Sequence, residues 1–511
     1  VATEKAYPKL TADEAAARIS NGMTVAFAGF TPAGAVKAVP RALAARARAM
    51  HARGEPMQIR MLSGASTGRS ADEALSQAQA ISWRAPYQSS AALRKQTNAG
   101  AADVVDIHLS HWPQMLCAGF FGKIDVAVIE ATEITSDGRV YLSTSVGASP
   151  TFLACADKVI IELNRYHSPR TREMMDVAVM PLPPYRAPIA ILNPLSKIGV
   201  PYAIVDPRKV IGIVETNEPD EINILASIDD IGRRIAANVS RFLLDELAAA
   251  RIPSQFLPLQ SGVGNVANAV MANLGADPDI PPFTMYSEII QDSCVEIMLA
   301  GKITGASACG MTVSPAQLQV IYGNMDFFGP RIVLRPQEFS NNPGIIRRLG
   351  VIAMNTALEV DVYGHANSTH ICGTDMMNGI GGSGDFVRNS YLSIFMCPSF
   401  AKGGRISTIV PLATHVDHSE HSVQIVVTEQ GLADLRGRSP LERARAMIDN
   451  CAHPAYRDYL HRYIEKSPPG HIHHDLRKCF ELHLNLIDKG AMLPDLDFSD
   501  FEPMERRPNG G

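Results

Sequence analysis

Short β-branched runs that alternate with helical stretches are the strongest constraint on how this chain can fold. Met23–Phe27, Ile59–Leu62, Asp125–Ile129, Val159–Leu163, Ala203–Asp206 and Val210–Val214 read as strands, and the Ala- and Arg-rich stretch Pro40–Ala52 reads as a helix. A parallel neighbour cannot be reached by a tight hairpin, so strands separated by helices imply crossover connections and a mainly parallel sheet. After the acidic, aperiodic stretch Glu218–Asp230, the residues Ile231, Ile235, Val239 and Leu243 recur every four positions and predict a helix over Ile231–Ala250. A second set of strands follows at Phe283–Tyr286, Ile332–Leu334, Leu358–Val362, Ile406–Val410 and Gln424–Thr428. Ser439-Pro440 ahead of Leu441–Asp449 supplies an N-cap and a proline at the first helical position. At 511 residues the chain exceeds one ordinary hydrophobic core. It therefore reads as an α/β protein of two α/β domains with mainly parallel sheets, residues 1–222 and 223–511, with a tail beyond Gly490 that packs loosely or extends. Both halves carry a strand, a glycine turn and a helix, at Val25–Gly34 and Leu259–Val266, a short likeness between the two domains.

The charge balance narrows the partners. Asp and Glu outnumber Lys and Arg by 52 to 47, a net −5, so nothing basic points to nucleic acid or to an anionic membrane surface. The eight cysteines form no C-x-x-C pair and read as free thiols of a reducing compartment. No apolar run reaches the ~18 residues of a membrane-spanning helix. The first ten residues lack the apolar core of a signal peptide. The expectation is a cytoplasmic enzyme without a membrane partner.

Two glycine loops invite a dinucleotide reading. Gly379–Gly384 matches G-x-G-x-x-G, and Gly262–Ala267 matches its alanine-ending variant. That fingerprint also needs an acid about 20 residues on, at a strand end. Lys402-Gly-Gly-Arg405 follows the first loop, and Asp277 and Asp279 in a Pro-rich stretch follow the second. Backbone N–H groups facing an anion fit these loops better, with Lys402 as a nearby positive charge or simply a solvated one.

Three patterns could carry chemistry. Glu288, in Tyr286-Ser-Glu-Ile-Ile-Gln-Asp292, stands where an apolar strand meets a helix start. A carboxylate at a strand end points into the crevice where α/β proteins bind ligands, and it can serve as base or nucleophile. A first-turn acid that complements the helix dipole is the plain alternative. His415, His418 and His421, with His471, His473 and His474, raise a metal site, but no apolar scaffold or close cysteine supports one, so no metal is expected. Gly64-Ala-Ser-Thr-Gly68 matches a nucleophile elbow, yet the chain has no His-Gly-Gly oxyanion loop, and a small-residue turn explains it better.

Taken together, several stretches make the chain resemble class I coenzyme A transferases of the acetyl-CoA hydrolase/transferase type. They are Gly64–Gly68, Leu257–Val266, Tyr286-Ser-Glu288, Ser340–Gly350, Met377–Phe386 and Val427–Gly437. Trp83–Gln88, Tyr363–His370 and Gly470–Asp475 look most like the propionyl-CoA:succinate branch. The resemblance implies two α/β domains with the active site between them, a homodimer, and acyl-CoA and short-chain carboxylates as substrates. No cofactor is bound tightly; coenzyme A is substrate and covalent intermediate. Glu288 is the implied nucleophile, passing through an acyl anhydride and a glutamyl-CoA thioester. The amides of Val263 and Gly382 are the implied oxyanion hole. Gly262, Val263, Gly264, Asn265, Val266, Asn378, Gly382 and Lys402 match CoA-binding positions, and Asn341 and Glu429 match auxiliary ones. Glu221 stands where some succinyl-CoA:acetate enzymes carry an arginine, which removes one auxiliary acyl-CoA contact. An acyl-CoA hydrolase using the same residues and a catalytically silent CoA-binding protein are the alternatives.

Overall fold

The computed structural model describes residues 7–222, 227–498 and 501. It is an α/β protein with two large, mainly parallel sheets, one built from each half of the chain. The first has seven strands in the order Val210–Thr216, Ala156–Asn164, Ile124–Ala131, Thr24–Phe27, Ile59–Ser63, Ile81–Ala85, Asp103–Val104. Every pairing in it is parallel, with Val25 opposite both Met61 and Val126. The central strands are apolar on both faces, as a sheet covered on both sides demands: Val25, Ala26 and Phe27 are fully buried, and so are Val126 to Ile129.

The second sheet has eight strands. Phe283–Tyr286, Ile303–Ala308 and Ile332–Leu334 pair in parallel. Leu259–Ser261, Ile352–Thr356, Leu392–Met396 and Ile425–Thr428 form a second parallel run, closed by an antiparallel hairpin to Gly431–Asp434. Several of these strands escape a reading of β-branched runs. Ile303–Ala308 is Ile-Thr-Gly-Ala-Ser-Ala, whose small residues lower strand propensity, and burial in the sheet overrides it. The expected strand Ile406–Val410 is two short ones, Ile406–Ser407 and Ile409–Val410, in different small sheets.

The helices follow their sequence signals closely. Ala38–His51 begins without a side-chain cap of its own; instead the buried Glu162 carboxylate accepts the N–H groups of Lys37, Ala38 and Val39. That satisfies three orphan donors and sets a negative group at the positive end of the helix dipole. Asp230–Ala248 is capped by Asp229, and Pro440–Asn450 by a Ser439/Glu442 capping box. Of the aperiodic stretch Glu218–Asp230, residues 223–226 lie outside the described residues. The described tail does not hang loose: Ala491, Met492 and Phe501 are buried, and Phe501 stacks on His453 at 4.4 Å. Residues 499–500 and 502–511 of that tail lie outside the description.

Compactness groups the chain differently from a cut at residue 222. One unit comprises Val1–Ile224, Phe283–Leu349 and Met376–Asp385; the other comprises Leu225–Pro282, Gly350–Asp375 and Phe386–Gly511. The reason lies in the bonds that tie the 283–349 segment to the first half. Val146 N–H donates to Cys309, Met311 N–H to Thr144 and Gln337 N–H to Gly147. Buried Arg335 makes an ion pair with Asp176 and donates to the carbonyls of Pro194 and Ser196. Glu288 thus belongs to the first unit, although it follows residue 222 in sequence.

Candidate active site

Glu288 sits in the two-residue gap between the strands Phe283–Tyr286 and Ile289–Gln291. The next helix, Asp292–Leu299, begins beyond the second strand, with Asp292 as its first-turn acid. The helix-dipole role therefore falls to Asp292, and Glu288 is left for something else. Its backbone is pinned: Ser287 N–H donates to Ser307 O and Cys309 N–H to Glu288 O, both at 2.9 Å. Its carboxylate accepts a 2.7 Å hydrogen bond from Asn341 Nδ2. Asn341 is fully buried and held in turn by Ser340 Oγ, which donates to its Oδ1 at 2.7 Å. The short helix Gln337–Ser340 that delivers Asn341 is anchored by Tyr286, whose hydroxyl donates to Phe339 O at 2.6 Å.

The other wall of the site is backbone. A Cβ built on Gly382 would lie 2.6 Å from Asn341 Nδ2 and 2.8 Å from Glu288 Cδ, and closer still to Glu288 Oε1. Only glycine lets the main chain approach the carboxylate this closely. The loop that carries Gly382 is held by its neighbours: Gly379 N–H donates to Gln88 O at 3.0 Å and Ile380 N–H to Asp106 Oδ2 at 2.7 Å. Asn378, half-buried at its start, donates from Nδ2 to Gly379 O. Beyond it, buried Asp385 accepts from Ser110 N–H at 3.0 Å and Ser110 Oγ at 2.6 Å, and the Asn341 amide also reaches it. An apolar cluster of Phe30, Ala65, Leu109, Ile289 and Cys309, with Tyr87 packed against it, adjoins the site.

These surroundings set the electrostatics. Burial pushes the Glu288 carboxyl up to about 7; the Asn341 hydrogen bond works against that and the Asp385 charge adds to it. Asp385 is likewise pushed up, to about 6, by burial against the Ser110 hydrogen bonds. A carboxyl held near 7 is stripped of water and poised to ionise close to neutral pH, as nucleophiles and general bases require.

In the second unit, Leu259–Ser261 leads through Gly262-Val263-Gly264 into the helix Asn265–Ala276. Gly264 takes φ +121 at the N-cap position, and Val263 is half exposed. The helix start therefore presents free backbone N–H groups, with Asn265 exposed and Val266 half-buried beside them. Lys402 is exposed at φ +54, at the tip of an antiparallel pair formed by Phe400–Ala401 and Ile406–Ser407. Glu429 lies in the tight turn of the Ile425–Thr428 hairpin, buried, and accepts from Ser399 N–H at 2.8 Å and from Ser399 Oγ.

Residues 1–215 match the N-terminal domain of acetyl-CoA hydrolase/transferase and residues 318–464 its C-terminal domain. The chain belongs to this family. It is 59% identical over 490 residues, 96% of this chain and 100% of the other, to propanoyl-CoA:succinate CoA transferase of Escherichia coli. It is 45% identical to succinyl-CoA:acetate CoA-transferase of Clostridium kluyveri, over 94% of this chain and 90% of that one. The crystal structure of RipA from Yersinia pestis shares the fold, with a TM-score of 0.68 at 23% identity, covering 90% of this chain and 97% of that one.

Within this family member the competing motifs have structural employment. Ser66 of the elbow-like turn donates to Asp72 at 2.9 Å, and Asp72 pairs with buried Arg84, which also holds Ser63 Oγ and Ala65 O. The Gly379–Gly384 loop follows the two-residue strand Asp375–Met376, which is outside both large sheets, so it lacks the strand that a dinucleotide fingerprint needs. His415 leans on Asp417, His418 packs on Phe395, His473 faces Ile464 O and His474 faces the Tyr463 hydroxyl. Glu221 accepts from Ser70 N–H and Oγ. Among the described residues, Glu130, His167 and Asp220 bring ligand atoms within 4.8 Å of one another. Lys37 already supplies the cation there, its Nζ 2.6 Å from Glu130 and 3.1 Å from Asp220. Sequence reasoning missed this group, as it missed Ser110 and Asp385 at the site, because the partners are distant in sequence: Lys37 and Glu130 by 93 residues, Ser110 and Asp385 by 275.

Proposed function

We propose that this protein is a CoA-transferase that moves coenzyme A between succinyl-CoA and a short-chain carboxylate, propionate or acetate, with Glu288 as nucleophile. The observation that carries the site assignment is the Glu288 carboxylate, pinned by Asn341 against the Gly382 backbone and raised by burial to about 7. The 59% and 45% identical relatives, both CoA-transferases, support the reaction class.

Glu288 attacks the thioester carbonyl of the donor acyl-CoA, and the CoA thiolate leaves. The thiolate then attacks the Glu288 carbonyl of the resulting anhydride, releasing the donor acid and leaving a glutamyl-CoA thioester. The acceptor carboxylate runs these steps in reverse. A carboxylate nucleophile keeps the acyl group activated, where a serine would form an ordinary ester. We assign oxyanion stabilisation to the amides of Gly382 and Val263, each such donor typically contributing ~3 kcal/mol. Gly262, Val263, Gly264, Asn265 and Val266 are assigned to CoA binding, with Asn378, Gly382 and Lys402. The exposed helix N-terminus after Gly264 suits an anion. Asn341 positions Glu288, and Glu429 acts in an auxiliary role. The proposal includes the division into domains 1–222 and 223–511, and a cytoplasmic homodimer with no tightly bound cofactor. No described helix is long and apolar enough to cross a membrane.

Hydrolysis is the second reading, since the family's description covers hydrolases. The protein is incubated with succinyl-CoA, reduced with borohydride and digested for mass spectrometry. A reduced residue at position 288, together with exchange of CoA onto propionate faster than release of free CoA, is the expected result. A label elsewhere overturns the nucleophile, and release without exchange overturns transfer.

A further inference from the structure

Cys117 and Cys155 take no part in the chemistry above, yet they face each other. Cys117 is the last residue of the helix Trp112–Cys117, and Cys155 is the last residue of Ser149–Cys155. Their sulfurs stand 3.7 Å apart, 38 residues apart in sequence. Both can be reached from solvent: Cys117 is exposed and Cys155 half-buried, whereas Cys294, Cys309, Cys397, Cys451 and Cys479 are buried. Closing the bond to the ~2.05 Å of a disulfide requires the sulfurs to approach by less than 2 Å, a side-chain adjustment at two helix ends.

We infer that Cys117 and Cys155 form a peroxide-oxidisable dithiol, a modification site on the first unit that closes reversibly to an intramolecular disulfide. Cys155 is the attacking sulfur. The hydrogen bond shared with Cys117 lowers its thiol, and the positive charge of Lys209 acts in the same direction against burial. The Lys209 ammonium is fixed beside it by a 2.8 Å bond to Ala154 O. Cys117 has the opposite bias: its bond to Cys155 raises it, which leaves it as the resolving thiol. The Cys155 thiolate attacks one oxygen of hydrogen peroxide, the O–O bond breaks, and the departing hydroxide takes up a proton as water. Cys155 is then a sulfenic acid. Cys117 loses its proton and attacks Cys155 Sγ, the S–O bond breaks, and a second water leaves. Two thiols and one peroxide have become one disulfide and two waters.

The placement gives the pair a use. Cys309 lies in the apolar cluster beside Glu288, with its amide bonded to the Glu288 carbonyl. An accessible dithiol that consumes oxidant first spares a buried thiol whose oxidation would disturb the site. A cytosolic reductant then restores the pair, because thiol–disulfide exchange needs only access to one sulfur.

The test uses the full-length protein, treated with equimolar hydrogen peroxide and digested with trypsin without reduction. The expected product joins peptide 96–123 to peptide 140–158, two hydrogens lighter than their sum, and dithiothreitol separates them. Thiol titration with Ellman's reagent under denaturing conditions should fall from eight to six and return to eight. Cys117→Ser should stop at a Cys155 sulfenic acid that dimedone traps, while Cys155→Ser should leave Cys117 as a thiol. Cross-linked peptides between protein molecules, or first oxidation at Cys372 or Cys309, would overturn the inference.

Discussion

Replacing Gly382 with alanine tests the active-site geometry most directly. The added carbon would stand 2.6 Å from Asn341 Nδ2 and 2.8 Å from Glu288 Cδ, where ordinary contact begins at 3.4 Å. The shortfall is 3.4 − 2.6 = 0.8 Å at the amide and more at the carboxylate oxygen. Of the two neighbours, only the Glu288 side-chain end can give way. Asn341 is buried and bonded to Ser340, and the Glu288 main chain is pinned to Cys309. The carboxylate must therefore move by about 1 Å, a misplacement that costs on the order of 100-fold in rate. That corresponds to about 2.7 kcal/mol of transition-state free energy, with about 1–3 kcal/mol of stability lost to overpacking. CoA exchange between succinyl-CoA and propionate, measured beside thermal unfolding, reads both. Gly323→Ala is the control: it has a helical position and nothing within 4 Å of its added carbon. The expectation is a roughly 100-fold loss of kcat/KM for Gly382→Ala in a folded protein and near-native activity for Gly323→Ala. A folded Gly382→Ala protein within about threefold of native activity would refute the packing of Gly382 against the nucleophile, whatever the role of Glu288.

Two further perturbations follow from the electrostatics. The rate should rise with pH through about 7 as Glu288 ionises. Because the Asn341 bond lowers that carboxyl, Asn341→Ala should move the limb to higher pH, and a pH profile of kcat/KM with an unmoved or lowered limb would contradict it. Lys37→Met leaves Glu130 and Asp220 buried with one cation fewer; breaking such a network costs about 3–5 kcal/mol, so a urea midpoint close to native would show that the network contributes little.

Much of the outer form of this protein was legible in the linear chain. A continuous apolar run such as Val126–Ile129 is what a strand buried on both faces requires, and Ser439-Pro440 announces a helix start through local bonding alone. These signals are local, and a local signal survives being read residue by residue. The small-residue strand Ile303–Ala308 is not of that kind, because its conformation is imposed by the strands on either side.

Glu288 shows where the boundary runs within the site. From the residue pattern alone it was an acid near a strand end, with a helix-dipole role the plainer reading. The tertiary structure gave that role to Asp292, and brought Asn341, Gly382, Asp385 and Ser110 to Glu288 from up to 178 residues away. Burial is a property of the assembled neighbourhood, so the shift of this carboxyl to about 7 exists only once the chain has folded. The sequence by itself determined the strands of continuous apolar runs, the capped helix starts, the family and the residue type at position 288. The tertiary structure decided which groups surround that residue, because a desolvated carboxylate is made by distant neighbours that no local pattern encodes.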